Sequence, residues 1–170
     1  MHALVVVESF WGHTSTIGRA IADGLAASAV RVAVVETDAA PGRLPPDLDL
    51  LVVGGPTHAF SMSTPETRRT AAERGAPTVP ERGIREWIKA VERPPTRIPV
   101  AVFDTRTRTP EFPGSAATLA TRRLSRRGFD PIAEPMTFWV RELDGPLLDG
   151  ERYRAREWGR DLTVALLHTL

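Results

Sequence analysis

Three short stretches of this chain carry residue types that could hold a ligand: "SFWGHT" (residues 9–14), "GGPTHAF" (54–60) and "DTRTRTPEFPG" (104–114). The first follows the apolar run "ALVVV" and leads into an amphipathic pattern, with no lysine or arginine before Arg19. Backbone amides at a helix start lack partners and sit at the positive end of the helix dipole, so such a turn can hold an anion without a basic side chain. The hydroxyls of Ser9 and Thr14 would add donors. The same residue types also cap helices with no ligand involved, and Trp11 could simply cover the helix end. No Gly-Lys-Ser/Thr follows and no G-x-G-x-x-G is present, which disfavours ATP-type and dinucleotide cradles.

Other chemistries are excluded more simply. Cysteine is absent, so disulfides, thiolate metal sites and thiol nucleophiles fall away together. No hydrolase elbow, carboxylate pair at a defined spacing or histidine cluster suited to a metal is visible. Basic and acidic residues nearly balance, 22 to 21, which gives no reason to invoke nucleic acid or an anionic membrane. No apolar run approaches the roughly 18 residues that cross a bilayer, and "MHALVVVESF" has neither a basic n-region nor a small-residue cleavage site. The expectation is a cytoplasmic protein that is a monomer or weak dimer. Lys89 is the only lysine, which we ascribe mainly to coding bias.

The elements that must position the three loops alternate. Residues 3–7, 30–36, 48–55, 98–104 and 136–140 read as five strands, the first three as β-branched runs of the kind buried on both faces. Ile17, Ala20, Ile21, Gly24 and Leu25 keep the spacing of one helix face, as do Ile84, Trp87, Ile88 and Val91 before Pro94 and Pro95 stop that helix. Thr64, Pro65 and Gly75 mark the cap, first position and close of a short helix. A further helix spans about 115–127 with Gly128 at its end, and a last one starts from Asp149 as N-cap. Trp87, Trp139 and Trp158 are expected in the core. Alternation of this kind implies parallel strands joined by right-handed crossover helices in one domain spanning 1–170, with ligands beyond the carboxyl ends of the strands.

In that order, "ESFWGHTSTIGRAIADGL", "DLLVVGGPTHAF", "VAVFDTR", "PGSAATLATRRLSRRGF" and "GPLLDGERYRAREWGRDL" resemble the flavodoxin family over nearly the whole chain. The resemblance implies an α/β, flavodoxin-like, doubly wound five-stranded parallel sheet in the order 2-1-3-4-5, with helices on both faces and FMN as cofactor. It makes Ser9, Trp11, Gly12, His13 and Thr14 the phosphate cradle. Pro56, Thr57, His58, Ala59 and Phe60 would border one side of the isoalloxazine ring, and Asp104, Thr105 and Arg106, through Gly114, the other. Phe112 is the aromatic available in the fourth-strand loop. Bland roles stand beside these: a turn for Pro56 and Thr57, a loop anchor for Phe60, an inert His58, a cap for Asp104.

The function so implied is electron transfer between redox partner proteins, a reductase and an acceptor, with no catalytic side chain. The alternatives are an FMN-dependent NAD(P)H:quinone-type oxidoreductase, with His58 as proton donor, and a flavodoxin-like interaction domain that has lost FMN. Arg68, Arg69, Arg106 and Arg108 stand in the loops expected at the ring edge. Guanidinium groups there would favour an anionic reduced flavin by on the order of 1 kcal/mol per partly screened charge. Pairing with Glu66 or Glu111 would cancel that effect. The arginines of "RRLSRR" (122–127) read as the solvated face of their helix.

Overall fold

The computed structural model describes residues 1–108 and 114–169. The elements run β1 (His2–Val7), α1 (His13–Ala26), β2 (Arg31–Glu36), β3 (Leu50–Pro56), α2 (Pro65–Glu73), α3 (Ile84–Ala90), β4 (Ile98–Thr107), α4 (Ala116–Arg126), β5 (Phe129–Pro131), β6 (Met136–Val140) and α5 (Glu151–Leu167). All strand pairings are parallel, in the order β2-β1-β3-β4-β5, and β6 also pairs with β4.

The fifth position of the sheet is thus shared by two strands. β5 pairs with Ile98–Val100 of β4 and β6 with Phe103–Thr107. Pro131 and Pro135 flank the break; neither can donate an N–H to a ladder, which is why one continuous strand does not form. The stretch at 30–36 also differs from expectation. β2 lies at the sheet edge and none of its residues is fully buried, Val32 and Val34 packing partly on one core and Val35 on the other.

Period-two alternation in β1 supplies both cores. Ala3, Val5 and Val7 face one side with Ile17, Ile21, Phe103 and Trp158; Leu4 and Val6 face the other with Ile84, Trp87, Ile88 and Leu124. On the first side α1 and α5 touch through glycine. A Cβ on Gly24 would stand 2.0 Å from the Arg156 carbonyl oxygen, and one on Gly159 would stand 2.3 Å from that of Ile21. This backbone contact explains two glycines that cost helix propensity, about 1 kcal/mol each relative to alanine.

Local signals set the helix ends. Thr64 accepts from the Thr67 N–H with Pro65 next, Ser115 accepts from the Thr118 N–H, and Gly75 and Gly128 close α2 and α4 in the left-handed region. α5 is capped not by Asp149 but by Gly150, at φ 83°, with no side-chain cap bond. Trp87 and Trp158 are buried as expected. Trp139 is only half-buried, because β6 presents its ring to the guanidinium groups of Arg106 and Arg108, each 5.7 Å from the ring centroid. No described helix is long and apolar enough to cross a membrane.

Candidate functional site

The loops after β1, β3 and β4 converge on one crevice. Ser9, Trp11, His13 and Thr14 line it from the first loop, Pro56, Thr57 and His58 from the second, and Thr105 and Arg106 from the third. Phe10, Thr107, Val140 and Leu143 complete the lining. Leu143 belongs to a strap within the loop of 140–150, which reads in the sequence as an ordered surface loop but carries no sign of its place at the crevice. The strap is fastened by the His13 ring, whose Nε2 lies 2.8 Å from the Asp144 carbonyl oxygen and, with that tautomer, donates to it.

At the first loop the chain arrives buried, turns, and starts a 14-residue helix at His13. Gly12 is the N-cap at φ 88°, a conformation that glycine adopts without strain. No side chain caps this helix, and its first turn carries no acidic residue. Nothing lies within 4 Å of where a Cβ on Gly12 would stand. Ser9 is buried and its Oγ has no hydrogen-bond partner. Thr14 Oγ1 lies 2.7 Å from Thr105 Oγ1, tying the helix start to β4. Unpaired first-turn amides, an orphaned hydroxyl and the positive helix end form a donor set for a phosphate dianion.

The other end is assembled from distant parts. His58 and Ser61 exchange backbone hydrogen bonds of 2.8 and 2.9 Å, forcing Ala59 (φ 46°) and Phe60 (φ 65°) into the left-handed region, at about 1 kcal/mol each. Arg85 holds the strained turn: its guanidinium donates to Ser61 Oγ and to the carbonyls of Met62 and Ser63. Gly114 gives the turn room, since a Cβ there would stand 2.6 Å from the Phe60 carbonyl oxygen. Phe60 is 46% exposed at the rim. Thr57 donates to Asp104, which also accepts from the Ala117 N–H and from Thr137. Fully buried within β4, Asp104 fastens β3, α4 and β6 together from below the crevice, while Ser115 is the cap of α4.

Beneath the turn lies a buried ionic cluster that sequence reading missed. Glu8 accepts from Ser63 Oγ and, at 2.6 Å, from the Ile84 N–H, while Arg68 donates to Ser63 Oγ and makes two bonds to the Glu86 carboxylate. Burial pushes the Glu8 carboxyl above its usual range, against the pull of Ser63, the Ile84 amide and Arg68. Partial burial also opposes ionisation of Glu86, but the bonds and charge of Arg68 more than offset it and hold that carboxyl low. His58 packs against Phe10 with 4.7 Å between centroids, and its Nδ1 lies 3.2 Å from Thr67 Oγ1. Burial and then the Arg68 charge lower its pKa to about 4, so it is neutral at pH 7.

Of the four arginines expected at the ring edge, only Arg106 lines the crevice, and it donates to the Gly114 carbonyl. Arg68 is 5% exposed and spent on Glu86 and Ser63, which corrects the expectation of a cationic edge there. Arg69 is exposed on α2, and Arg108 stacks on Trp139. Glu66 forms no ion pair among the described residues. Glu111 and Phe112 lie outside the described residues.

The crevice itself is narrow, about 30 Å³. A second cavity of about 240 Å³ adjoins it under α2, sharing Trp11, Thr57, His58 and Leu143. The donor set therefore fits a phosphate as it stands. As it stands the crevice is too narrow for a flat ring, and Trp11 and Leu143, neither of them buried, stand at its rim.

No protein-family model matches this chain, and no curated protein matches it by sequence. Solved structures do. A flavodoxin from the domain Archaea superposes over 99% of this chain and 100% of its own at TM-score 0.67 and 18% identity. Oxidised flavodoxin 1 from Bacillus cereus covers 100% and 99% at TM-score 0.68 and 16% identity. Rubredoxin oxygen:oxidoreductase from Desulfovibrio gigas matches 98% of this chain with 36% of its own, at TM-score 0.65 and 16% identity. The chain therefore has the flavodoxin-like fold. Identities this low speak for architecture and topology alone.

Proposed function

We propose that this chain binds FMN noncovalently and serves as a small electron carrier between a reductase and an electron-accepting protein. The observation that carries the reading is the buried, unpartnered Ser9 hydroxyl beside the uncapped N-terminus of α1, at the carboxyl end of β1. The similarity to two flavodoxins over essentially their full length supports the same reading.

In this reading the amides of the first turn of α1, with Ser9 and Thr14, hold the phosphate, and Gly12 leaves the approach open. Pro56–Phe60 and Thr105–Arg106 flank the ring, while Trp11 and Leu143 stand at its rim. When bound, the flavin supplies one- and two-electron redox chemistry; the protein binds, orients and tunes it. His58, neutral at pH 7, provides an uncharged wall and is no imidazolium donor.

One observation favours a stand-alone NAD(P)H:quinone-type oxidoreductase instead: the 240 Å³ cavity beside the crevice offers space for a second small substrate. Two measurements decide. A visible spectrum after FMN addition and removal of excess tests uptake, and a colourless protein supports the interaction-domain alternative. Sustained NAD(P)H oxidation with a quinone, without added reductase, supports the enzyme; silence supports the carrier.

A further inference from the structure

α3 and α4 lie side by side over the same core layer, which Ile84, Trp87 and Ile88 share with Ala117, Ala120 and Leu124. Two contacts join their C-terminal ends, and burial and then the charge of Arg123 lower the Arg85 pKa. Arg127 donates to the Val91 carbonyl. Arg93 lies against Gly128, within 3.3 Å of where a Cβ there would stand.

Together these helices and their last turns carry Arg85, Lys89, Arg93, Arg122, Arg123, Arg126 and Arg127, seven of the chain's 22 basic residues, but only two of its 21 acids. Both acids are spent elsewhere: Glu86 on Arg68, and Glu92 on Arg43 at 3.3 Å. None of the seven cations forms an ion pair among the described residues. Lys89, Arg93, Arg122 and Arg126 are exposed. The rest of the chain then holds 15 basic residues against 19 acidic ones, so the positive excess of a protein of net charge +1 lies on these two helices and their last turns. The positive face begins at Arg85, which grips the turn that carries the exposed Phe60 at the crevice rim.

We infer that the α3–α4 face is a docking surface for an acidic patch on a partner protein, with the partner's edge reaching the Phe60 rim. Complementary charge steers encounter and fixes orientation more than it adds affinity. A compact acidic patch fits better than a nucleic acid, because the positive excess is confined to these two helices while the remainder of the chain is net acidic. That the partner is a redox protein rests on the flavin reading above; the charge of its surface does not.

Amide-shift mapping by NMR tests this on the full chain, with and without FMN, using an acidic plant-type ferredoxin, a basic cytochrome c and a short single-stranded oligonucleotide as probes. At about 20 mM salt the ferredoxin should shift amides of Lys89, Arg93, Arg122 and Arg126. Its affinity should fall at least about tenfold at 200 mM. The triple variant Lys89→Glu/Arg122→Glu/Arg126→Glu should abolish those shifts, and the milder Lys89→Gln/Arg122→Gln/Arg126→Gln should weaken them without loss of fold. Cytochrome c should leave this face unshifted. Ferredoxin shifts on another face, no shifts at low salt, or tighter binding of the oligonucleotide to α3–α4 would each overturn the proposal. Ferredoxin shifts on α3–α4 in a protein that takes up no FMN would uphold the docking surface while removing the flavin reading.

Discussion

At the β1–α1 end of the crevice every assigned donor lies within residues 9–15, and nearly all are backbone amides or hydroxyls of that one turn. At the opposite end the wall comes from residues 56–60, 105–107 and 114, and is held in place by Arg68, Arg85 and Glu86 from two other helices. One end needs only a helix start and a small residue at its cap. The other needs strain at Ala59 and Phe60, a cation to hold the strained turn, and a buried ionic cluster beneath it. Binding determinants and stability determinants are therefore separable, and mutations should distinguish the two ends.

The largest effect is expected in the ionic cluster. Arg68→Met leaves Glu86 without its partner and removes the countercharge of buried Glu8, costing about 3–5 kcal/mol of stability in urea denaturation. An equal loss from Ser9→Ala would erase the distinction between the ends.

Next comes the pH response of His58. Its folded pKa of about 4 lies below the ordinary 6.5, so the neutral ring supports the fold fully above pH 6.5. As pH falls from 6.5 toward 4 the unfolded chain takes up a proton that the folded one refuses, and on the order of 2 kcal/mol is lost. Glu8 acts in the opposite direction, since its raised carboxyl favours the fold as pH drops through that raised value. Comparing urea midpoints of wild type and His58→Gln at pH 7 and 4.5 isolates the histidine, and the variant should lose less.

Ser9→Ala should then show the reverse profile of Arg68→Met. FMN affinity, read by titration calorimetry, should fall by about 1.5–3 kcal/mol, the value of a hydrogen bond to a charged group. Stability of the ligand-free protein should hold or rise, because an unpartnered buried hydroxyl has been removed. The smallest effect belongs to Arg106→Gln. Loss of one partly screened charge should make the two-electron potential more negative by about 20 mV, corresponding to about 1 kcal/mol, as read by redox titration.

Contiguity explains what was legible in the sequence. The parallel order, the turn after β1, and the caps at Thr64 and Ser115 each depend on a few adjacent residues with one geometric solution. The break between β5 and β6 was signalled by Pro131 and Pro135, but the run "MTFWV" alone looked like a complete strand. The surroundings of Arg68, Trp139 and the Leu143 strap were not legible, because they come from residues far away in the chain. Glu8, read simply as the residue after a strand, gains its meaning from Ser63 and Ile84.

The most direct trial of the phosphate cradle compares FMN with riboflavin, which carries the same ring and no phosphate, by quenching of flavin fluorescence in titrations of the ligand-free protein. The account predicts saturable one-to-one binding of FMN, at least about 100-fold tighter than riboflavin, a difference of roughly 2.7 kcal/mol. Equal affinities, or no binding of either, would contradict it.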